Sequence, residues 1–204
     1  MDKSIVFISH ITEEKKIAIA FKTLLERSFL GMIEVFVSSD EHSISTGQRW
    51  LDNITSALKK CSVEIILCSP KLVTRPWINF EAGAAWVRDI PVIPLCHSGM
   101  KPSLLPVPLN LLQAASASEI SSLRLIFPVL AHAIGSQVPN VDFSDFIEEV
   151  KDFEEHYMFW DEVNKIFSQV YAWNNTVIDL LRKNEVISCK LTETDINLWK
   201  HWSS

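Results

Sequence analysis

The sequence lacks the short motifs that mark several common classes of enzyme. It contains only 5 glycines in 204 residues. It has neither a G-x-G-x-x-G dinucleotide fingerprint nor a G-K-[ST] phosphate loop. It also lacks the G-x-S-x-G segment that carries the nucleophilic serine of many hydrolases. These absences exclude a Rossmann dehydrogenase, a P-loop nucleotidase and an α/β-hydrolase of ordinary sequence.

Long apolar runs are absent as well. No run approaches the roughly 18 to 20 residues that a membrane-spanning helix needs, and no basic segment followed by an apolar one opens the sequence. The 4 cysteines are widely spaced, so we expect reduced thiols. A hydrophobic content of 48% excludes a disordered chain. We therefore expect a soluble, cytoplasmic protein with no membrane contact.

The net charge of −6 is unevenly distributed along the chain. Residues 1–139 hold 13 Lys and Arg against 12 Asp and Glu, whereas residues 140–204 hold 6 against 13. The acidic C-terminal part would repel phosphates, so no direct nucleic-acid partner is expected. A basic protein surface is a more natural partner for it.

Short β-rich runs alternate with amphipathic helical patterns over most of residues 1–138. This alternation predicts an α/β domain whose parallel sheet has helices on both faces. For five strands the flavodoxin-like order 2-1-3-4-5 is favoured, and its ligand cleft opens beyond the carboxyl ends of strands 1 and 3. The predicted strands are residues 4–9, 33–37, 63–68, 91–96 and 111–115.

Residues 139–204 are predicted to form an α-helical C-terminal extension. They hold 11 of the 20 aromatic residues of the chain. Large side chains recur there at alternating spacings of three and four, which indicates one face of a helix. This face either covers the protein's own domain or docks on a partner or a second copy. The recurring residues are Phe143, Phe146, Val150, Phe153, Tyr157, Trp160, Asn164, Phe167 and Tyr171.

One carboxylate, Glu81, lies alone in an apolar segment, with no other charged residue between Arg75 and Arg88. An ionised group in a segment that reads as buried is costly unless it is paired or used. Trp77 precedes it by four residues, so the two share one face of a helix. The residues alone leave two interpretations open. Glu81 is either a functional carboxylate or a structural one paired with Arg49 or Arg75.

Four residues that could bind a metal or act as nucleophiles fall at the carboxyl ends of predicted strands 1, 3 and 4. They could form a metal site or a thiol–imidazole pair. The chain has no close C-x-x-C or H-x-x-x-H spacing, so small buried cysteines and loop histidines are the favoured interpretation. No metal site is predicted from His10, Cys68, Cys96 and His97.

Three segments resemble the bacterial Toll/interleukin-1 receptor (TIR) domains, over about residues 4–135. Residues 5–10 (Ile-Val-Phe-Ile-Ser-His) are similar to the first box of that family. Residues 35–50 are similar to its second strand and BB loop. Trp77-x-x-x-Glu81 matches the W-x-x-x-E motif of the members that cleave NAD⁺.

The resemblance implies an NAD⁺ glycohydrolase or ADP-ribosyl cyclase with NAD⁺ as its substrate and no separate cofactor. It further implies self-association through the BB loop and neighbouring TIR surfaces, with activation by assembly in antiphage defence. Glu81 would be the catalytic residue. The residues that border the nucleotide would be Ser9, His10, Ser38, Asp40, Gly47, Arg49 and Trp77.

The chemistry of NAD⁺ cleavage fits a single carboxylate. Nicotinamide is a cationic leaving group, so the main need is to stabilise an oxocarbenium-like ribosyl transition state. A carboxylate that faces the developing positive charge meets that need, and a neighbouring indole can stack and exclude water. Two alternatives stay open: a non-catalytic TIR interaction module, and a nucleoside deoxyribosyltransferase-like enzyme in which Glu81 attacks the sugar.

Overall fold

A computed structural model describes residues 3–38 and 50–173 of the chain. These residues form five strands and five α-helices, which alternate from β1 to β4. The strands are β1 (Ser4–Ser9), β2 (Ile33–Val37), β3 (Cys61–Cys68), β4 (Val92–Cys96) and β5 (Ala115–Ser116). The helices are α1 (Lys15–Ser28), α2 (Trp50–Lys60), α3 (Pro76–Val87), α4 (Ile120–Ile134) and α5 (Ser144–Trp173).

The strands form one parallel sheet in the order β2-β1-β3-β4-β5. The predicted fold class and strand order are therefore confirmed. The fifth strand was predicted in the wrong place, at residues 111–115. Leu109–Leu111 instead forms a 3₁₀ helix, and only Ala115 and Ser116 pair with β4.

The sheet is covered on both faces, because its strands bury side chains in both directions. On one face, α1, α4 and the first part of α5 pack on alternate residues of β1 and β3 such as Val6, Ile8, Val63 and Ile65. On the other face, α2 and α3 pack on residues such as Phe7 and Ile66. The candidate site lies on this second face.

The chain divides into two compact units, Met1–Met158 and Phe159–Ser204. The first unit includes the start of α5, whose Phe146, Val150 and Phe153 side chains are part of the core together with the preceding Phe143. The early half of the aromatic stripe thus covers the protein's own sheet. These two units are defined by their compactness, whereas the division predicted from the sequence separates a TIR domain from a helical extension. The predicted boundary between residues 1–138 and 139–204 therefore stays a prediction.

No helix in the described part of the chain combines the length and the apolar character needed to cross a membrane.

Candidate active site

The lone carboxylate of the apolar segment is placed by helix α3. Pro76 occupies the first turn, where a missing N–H leaves no intrahelical bond unmade. The helix places Trp77 and Glu81 on one face, as their spacing of four predicts. α3 is therefore the element that presents an indole beside a carboxylate.

Glu81 is 1% exposed, and both of its carboxylate oxygens accept hydrogen bonds. The Trp77 indole Nε1–H donates to Oε1 over 2.8 Å. The Ser9 hydroxyl, at the carboxyl end of β1, donates to Oε2. Bonds to an ionised acceptor are stronger than bonds between neutral groups, so these two donors fix the carboxylate in one orientation.

If Glu81 were a structural carboxylate, its candidate ion-pair partners would be Arg75 and Arg49. Arg75 is the exposed N-cap residue of α3, and within the described chain it forms no ion pair with Glu81. Arg49 lies outside the described residues, as do Asp40 and Gly47, so their predicted roles stay predictions.

His10 and Ser38 meet next to this group of residues. The backbone N–H of His10 donates to the Ser38 hydroxyl oxygen over 3.2 Å, and the ring Nδ1 lies 3.1 Å from the same oxygen. Both residues are buried. At the end of β1, the Ser9 side chain is thus bonded to Glu81. The next residue, His10, is bonded to Ser38, which directly follows β2.

A second carboxylate, Glu64 of β3, was missed in the sequence although it is the only charged residue between Lys60 and Lys71. It is fully buried. Burial and then the charge of Glu81 raise the pKa of Glu64 well above its usual value. The signal that identified Glu81, a lone charge in an apolar run, also marks Glu64.

His10, Cys68, Cys96 and His97, from which no metal site was predicted, do not form a metal-binding group within the described residues. Cys68 and Cys96 are register partners in the sheet, and the Cys68 thiol donates to the Ile66 carbonyl. Burial raises the pKa of Cys96 to about 11, so its thiol stays protonated at neutral pH. In the described residues no group of three or more metal-binding side chains comes together.

His97 instead faces Glu14, another carboxylate that the sequence did not single out. Its Nε2 lies 3.5 Å from Glu14 Oε1, and the Ser69 hydroxyl donates to the same oxygen. Burial raises the pKa of Glu14 to about 8 and lowers the pKa of His97 to about 3. Both groups are therefore neutral at pH 7, and their contact is not an ion pair.

The family of the chain follows from a match to a protein-family model described as "TIR domain", which covers residues 6–156. The chain belongs to the TIR domain family. The match runs from within β1 through the other four strands to the start of α5. No curated protein matches this TIR domain protein.

Two solved structures are similar to the chain at low identity. One is the activated Roq1 resistosome directly recognizing the pathogen effector XopQ (TIR domains). It is 17% identical, covers 50% of this chain and 61% of its own, and has a TM-score of 0.37. Another is a metazoan TIR-STING receptor from C. gigas in complex with 2′,3′-cGAMP. It is 17% identical, covers 68% and 41%, and has a TM-score of 0.45. The TIR protein thus spans less than two thirds of the length of either structure.

Proposed function

We propose that this TIR protein cleaves the bond between nicotinamide and ribose in NAD⁺, as a glycohydrolase or an ADP-ribosyl cyclase, with Glu81 as its catalytic residue. The observation that carries the proposal is the buried Glu81 carboxylate, held by Ser9 and by the Trp77 indole at W-x-x-x-E spacing. Membership of the TIR family supports it, because that family includes NAD⁺-cleaving members.

The geometry suits the chemistry of the reaction. An oriented anion stabilises positive charge that develops on the ribosyl C1′ and needs no reorganisation at the moment of bond cleavage. The nicotinamide leaves with the bonding electron pair, and either water or an adenine nitrogen of the same nucleotide captures the ribosyl cation. The first outcome gives ADP-ribose and the second gives a cyclic product.

Further residues are proposed to border the nucleotide. Ser9 orients Glu81, and His10 with Ser38 forms a neighbouring polar pair at the ends of β1 and β2. Trp77 also lies 4.8 Å from Phe80, centroid to centroid, which extends the aromatic surface beside the carboxylate. Asp40, Gly47 and Arg49 are proposed as binding residues from the resemblance alone.

Activation by self-association, in an antiphage role, is part of the proposal. Glu81 is 1% exposed in the single chain and its Oε1 is bonded to the Trp77 indole, so NAD⁺ can reach the carboxylate only after its surroundings rearrange. The same helix exposes Phe80, Trp86 and Val87, with Val87 89% exposed. Exposed apolar side chains beside a covered site are consistent with an interface between copies that opens the site.

The deciding experiment is incubation of the purified full chain with NAD⁺, followed by chromatographic separation of the products. It should be run over a range of protein concentrations and with a crowding agent. We expect nicotinamide plus ADP-ribose or a cyclic ADP-ribose, formed faster per protomer at high concentration.

Two other outcomes point to the alternatives. Intact NAD⁺ under every condition would contradict the proposal and favour a non-catalytic TIR interaction module. Cleavage of nucleosides in preference to NAD⁺, with a glycosyl adduct trapped on Glu81, would instead indicate a deoxyribosyltransferase-like enzyme.

A further inference from the structure

Glu64 lies in the middle of β3 among apolar core residues. Its side chain is 0% exposed, and its strand neighbours Val63 and Ile65 are completely buried. A carboxyl group in such surroundings opposes folding unless it is paired or used. Its presence there requires a physical explanation.

Glu64 projects from the face of the sheet that carries the candidate active site. In the parallel register Glu64 pairs with Phe7, and Ser9 pairs with Ile66. Residues two apart on a strand point to the same face, so Glu64 lies on the same side as Ser9. Ser9 donates to Glu81, which places both carboxyl groups between β1, β3 and α3.

The two carboxyl groups differ in their hydrogen bonding. Neither oxygen of Glu64 has a partner among the described residues, whereas both oxygens of Glu81 accept a bond. An unpaired buried carboxyl group is costly, and an apolar residue of similar size would remove that cost. An unpaired carboxyl group retained beside Glu81 points to a role in the site.

Among the described residues, the other groups around Glu64 do not supply a counter-charge. Its register partners on β1 and β4 are Phe7 and Val92, and the described residues of α2 on this face are apolar. On α3 the facing charge is Glu81, while Arg88 at the end of that helix donates to the Leu58 carbonyl and the Cys61 sulfur. The remaining titratable neighbours are the protonated thiols of Cys61 and Cys68.

These surroundings favour a state in which one of the two carboxyl groups, Glu64 and Glu81, is protonated and the other is ionised. Burial and the negative charge of Glu81 both raise the pKa of Glu64. The proton therefore stays on Glu64, which lacks donors, and the charge stays on Glu81, which has two.

We propose that Glu64 is a positioning residue for Glu81, an inference that rests on the proposed NAD⁺ cleavage. As a neutral group it leaves Glu81 as the single anion of the pair, bonded to Ser9 and Trp77. When Glu64 loses its proton, a second buried anion forms and repels Glu81 from those donors. NAD⁺ turnover should therefore fall as the pH rises through the ionisation of Glu64.

The test is the pH profile of NAD⁺ turnover for wild type and Glu64→Gln. The amide keeps the size of the neutral carboxyl group and cannot ionise. We expect turnover at the optimum within about threefold of wild type, and a falling limb moved to higher pH by about one unit or more. Glu34→Gln, at an exposed position of β2, is the matched control and should leave the limb in place.

A falling limb that coincides in wild type and Glu64→Gln would overturn the proposal. If Glu64→Gln does not fold, Glu64→Met takes its place, because methionine is apolar and of similar length. The same shift of the falling limb is expected for that variant.

A measurement without NAD⁺ separates this proposal from the proposed function. The pH dependence of unfolding is compared for wild type, Glu64→Gln, Glu81→Gln and the double variant. We expect non-additive changes, because Glu81→Gln removes the charge that helps Glu64 to keep its proton. Strictly additive changes in the free energy of unfolding would overturn the coupling between Glu64 and Glu81. If those changes are non-additive but the protein does not cleave NAD⁺, the proposed function alone is overturned.

Discussion

Glu81 and Glu14 are both buried near the carboxyl ends of the strands, and each accepts a hydrogen bond from a serine that ends or follows a strand. Ser9 of β1 donates to Glu81, and Ser69 after β3 donates to Glu14. The two carboxyl groups differ in what else surrounds them. Glu81 meets the indole N–H of Trp77, whereas Glu14 meets the imidazole of His97.

The surroundings also differ in what covers them. The Ser69 hydroxyl that bonds Glu14 is also bonded to the Tyr157 hydroxyl of α5, over 3.2 Å, so this cluster lies beneath the chain's own helix. Glu81 is bonded to Trp77 of its own helix, and the ring of Trp77 contacts Phe80, which is 52% exposed. Burial of a carboxylate therefore does not by itself indicate catalysis. The neighbouring donors and the nature of the cover distinguish a candidate active site from a structural cluster.

The largest predicted effect is a difference in NAD⁺ turnover between variants of Glu81 and Glu14. Glu81→Gln should lower NAD⁺ turnover by about 1000-fold, because a neutral amide cannot balance charge on the ribosyl transition state. Glu14→Gln should retain turnover within about threefold, since Glu14 is already neutral at pH 7. Product formation per folded protein, with folding checked by circular dichroism, measures both. Equal losses in the two variants would remove the functional distinction between the sites.

The next effect concerns stability as a function of pH at Glu14. Because burial raises its pKa from 4.5 to about 8, the folded chain holds a proton in that interval that the unfolded chain has released. Wild-type stability is then lost as the pH rises, by about 1.4 kcal/mol per pH unit from this group. Glu14→Gln should gain stability relative to wild type across the interval and show no further gain above pH 8.

Chemical denaturation at several pH values measures this difference. Glu13→Gln makes the same charge change at the exposed neighbouring position and is the matched control. Parallel pH dependence in wild type and Glu14→Gln would show that Glu14 is ionised in the folded chain.

A smaller effect is expected at the indole of the candidate site. Trp77→Phe keeps an aromatic ring and removes the N–H donor to Glu81. A hydrogen bond to a charged acceptor contributes about 1.5 to 3 kcal/mol, so turnover should fall by roughly 10-fold or more. The free energy of unfolding should fall by no more than that amount, because the same bond also contributes to folding. Trp86→Phe makes the same change on the same helix at a half-exposed position that does not bond Glu81, and it should lower turnover less than Trp77→Phe. An unchanged rate in Trp77→Phe would exclude this bond from the site.

The sequence predicted the fold where the signal was local. β1 to β4 are compact apolar runs, and each was located within two residues of its observed bounds. β5 was misplaced because it forms only two register pairs, too few to leave a pattern. The apolar run that ends at Ala115 resembled a strand more closely than the strand itself does.

The candidate site was predictable to the same extent. The proximity of Trp77 and Glu81 follows from helix geometry, and the bond to Ser9 follows from strand order. Glu14 was missed because it lies in the charged run Thr12–Lys16, which reads as a solvent-exposed helix start. Its burial depends on contacts with His97 and Ser69, which are distant in sequence, and no local pattern encodes them.

The smallest predicted effect tests how far α5 contributes to the Glu14 cluster. Tyr157→Phe removes the hydroxyl that contacts Ser69 and keeps the ring that packs on His97 and Phe153. One neutral hydrogen bond contributes about 1 kcal/mol, so stability should fall by that amount while NAD⁺ turnover stays unchanged. Combining it with Ser69→Ala in a double-mutant cycle should give a coupling of about 0.5 to 1 kcal/mol. A coupling of zero would mean that α5 covers the Glu14 cluster only by apolar packing.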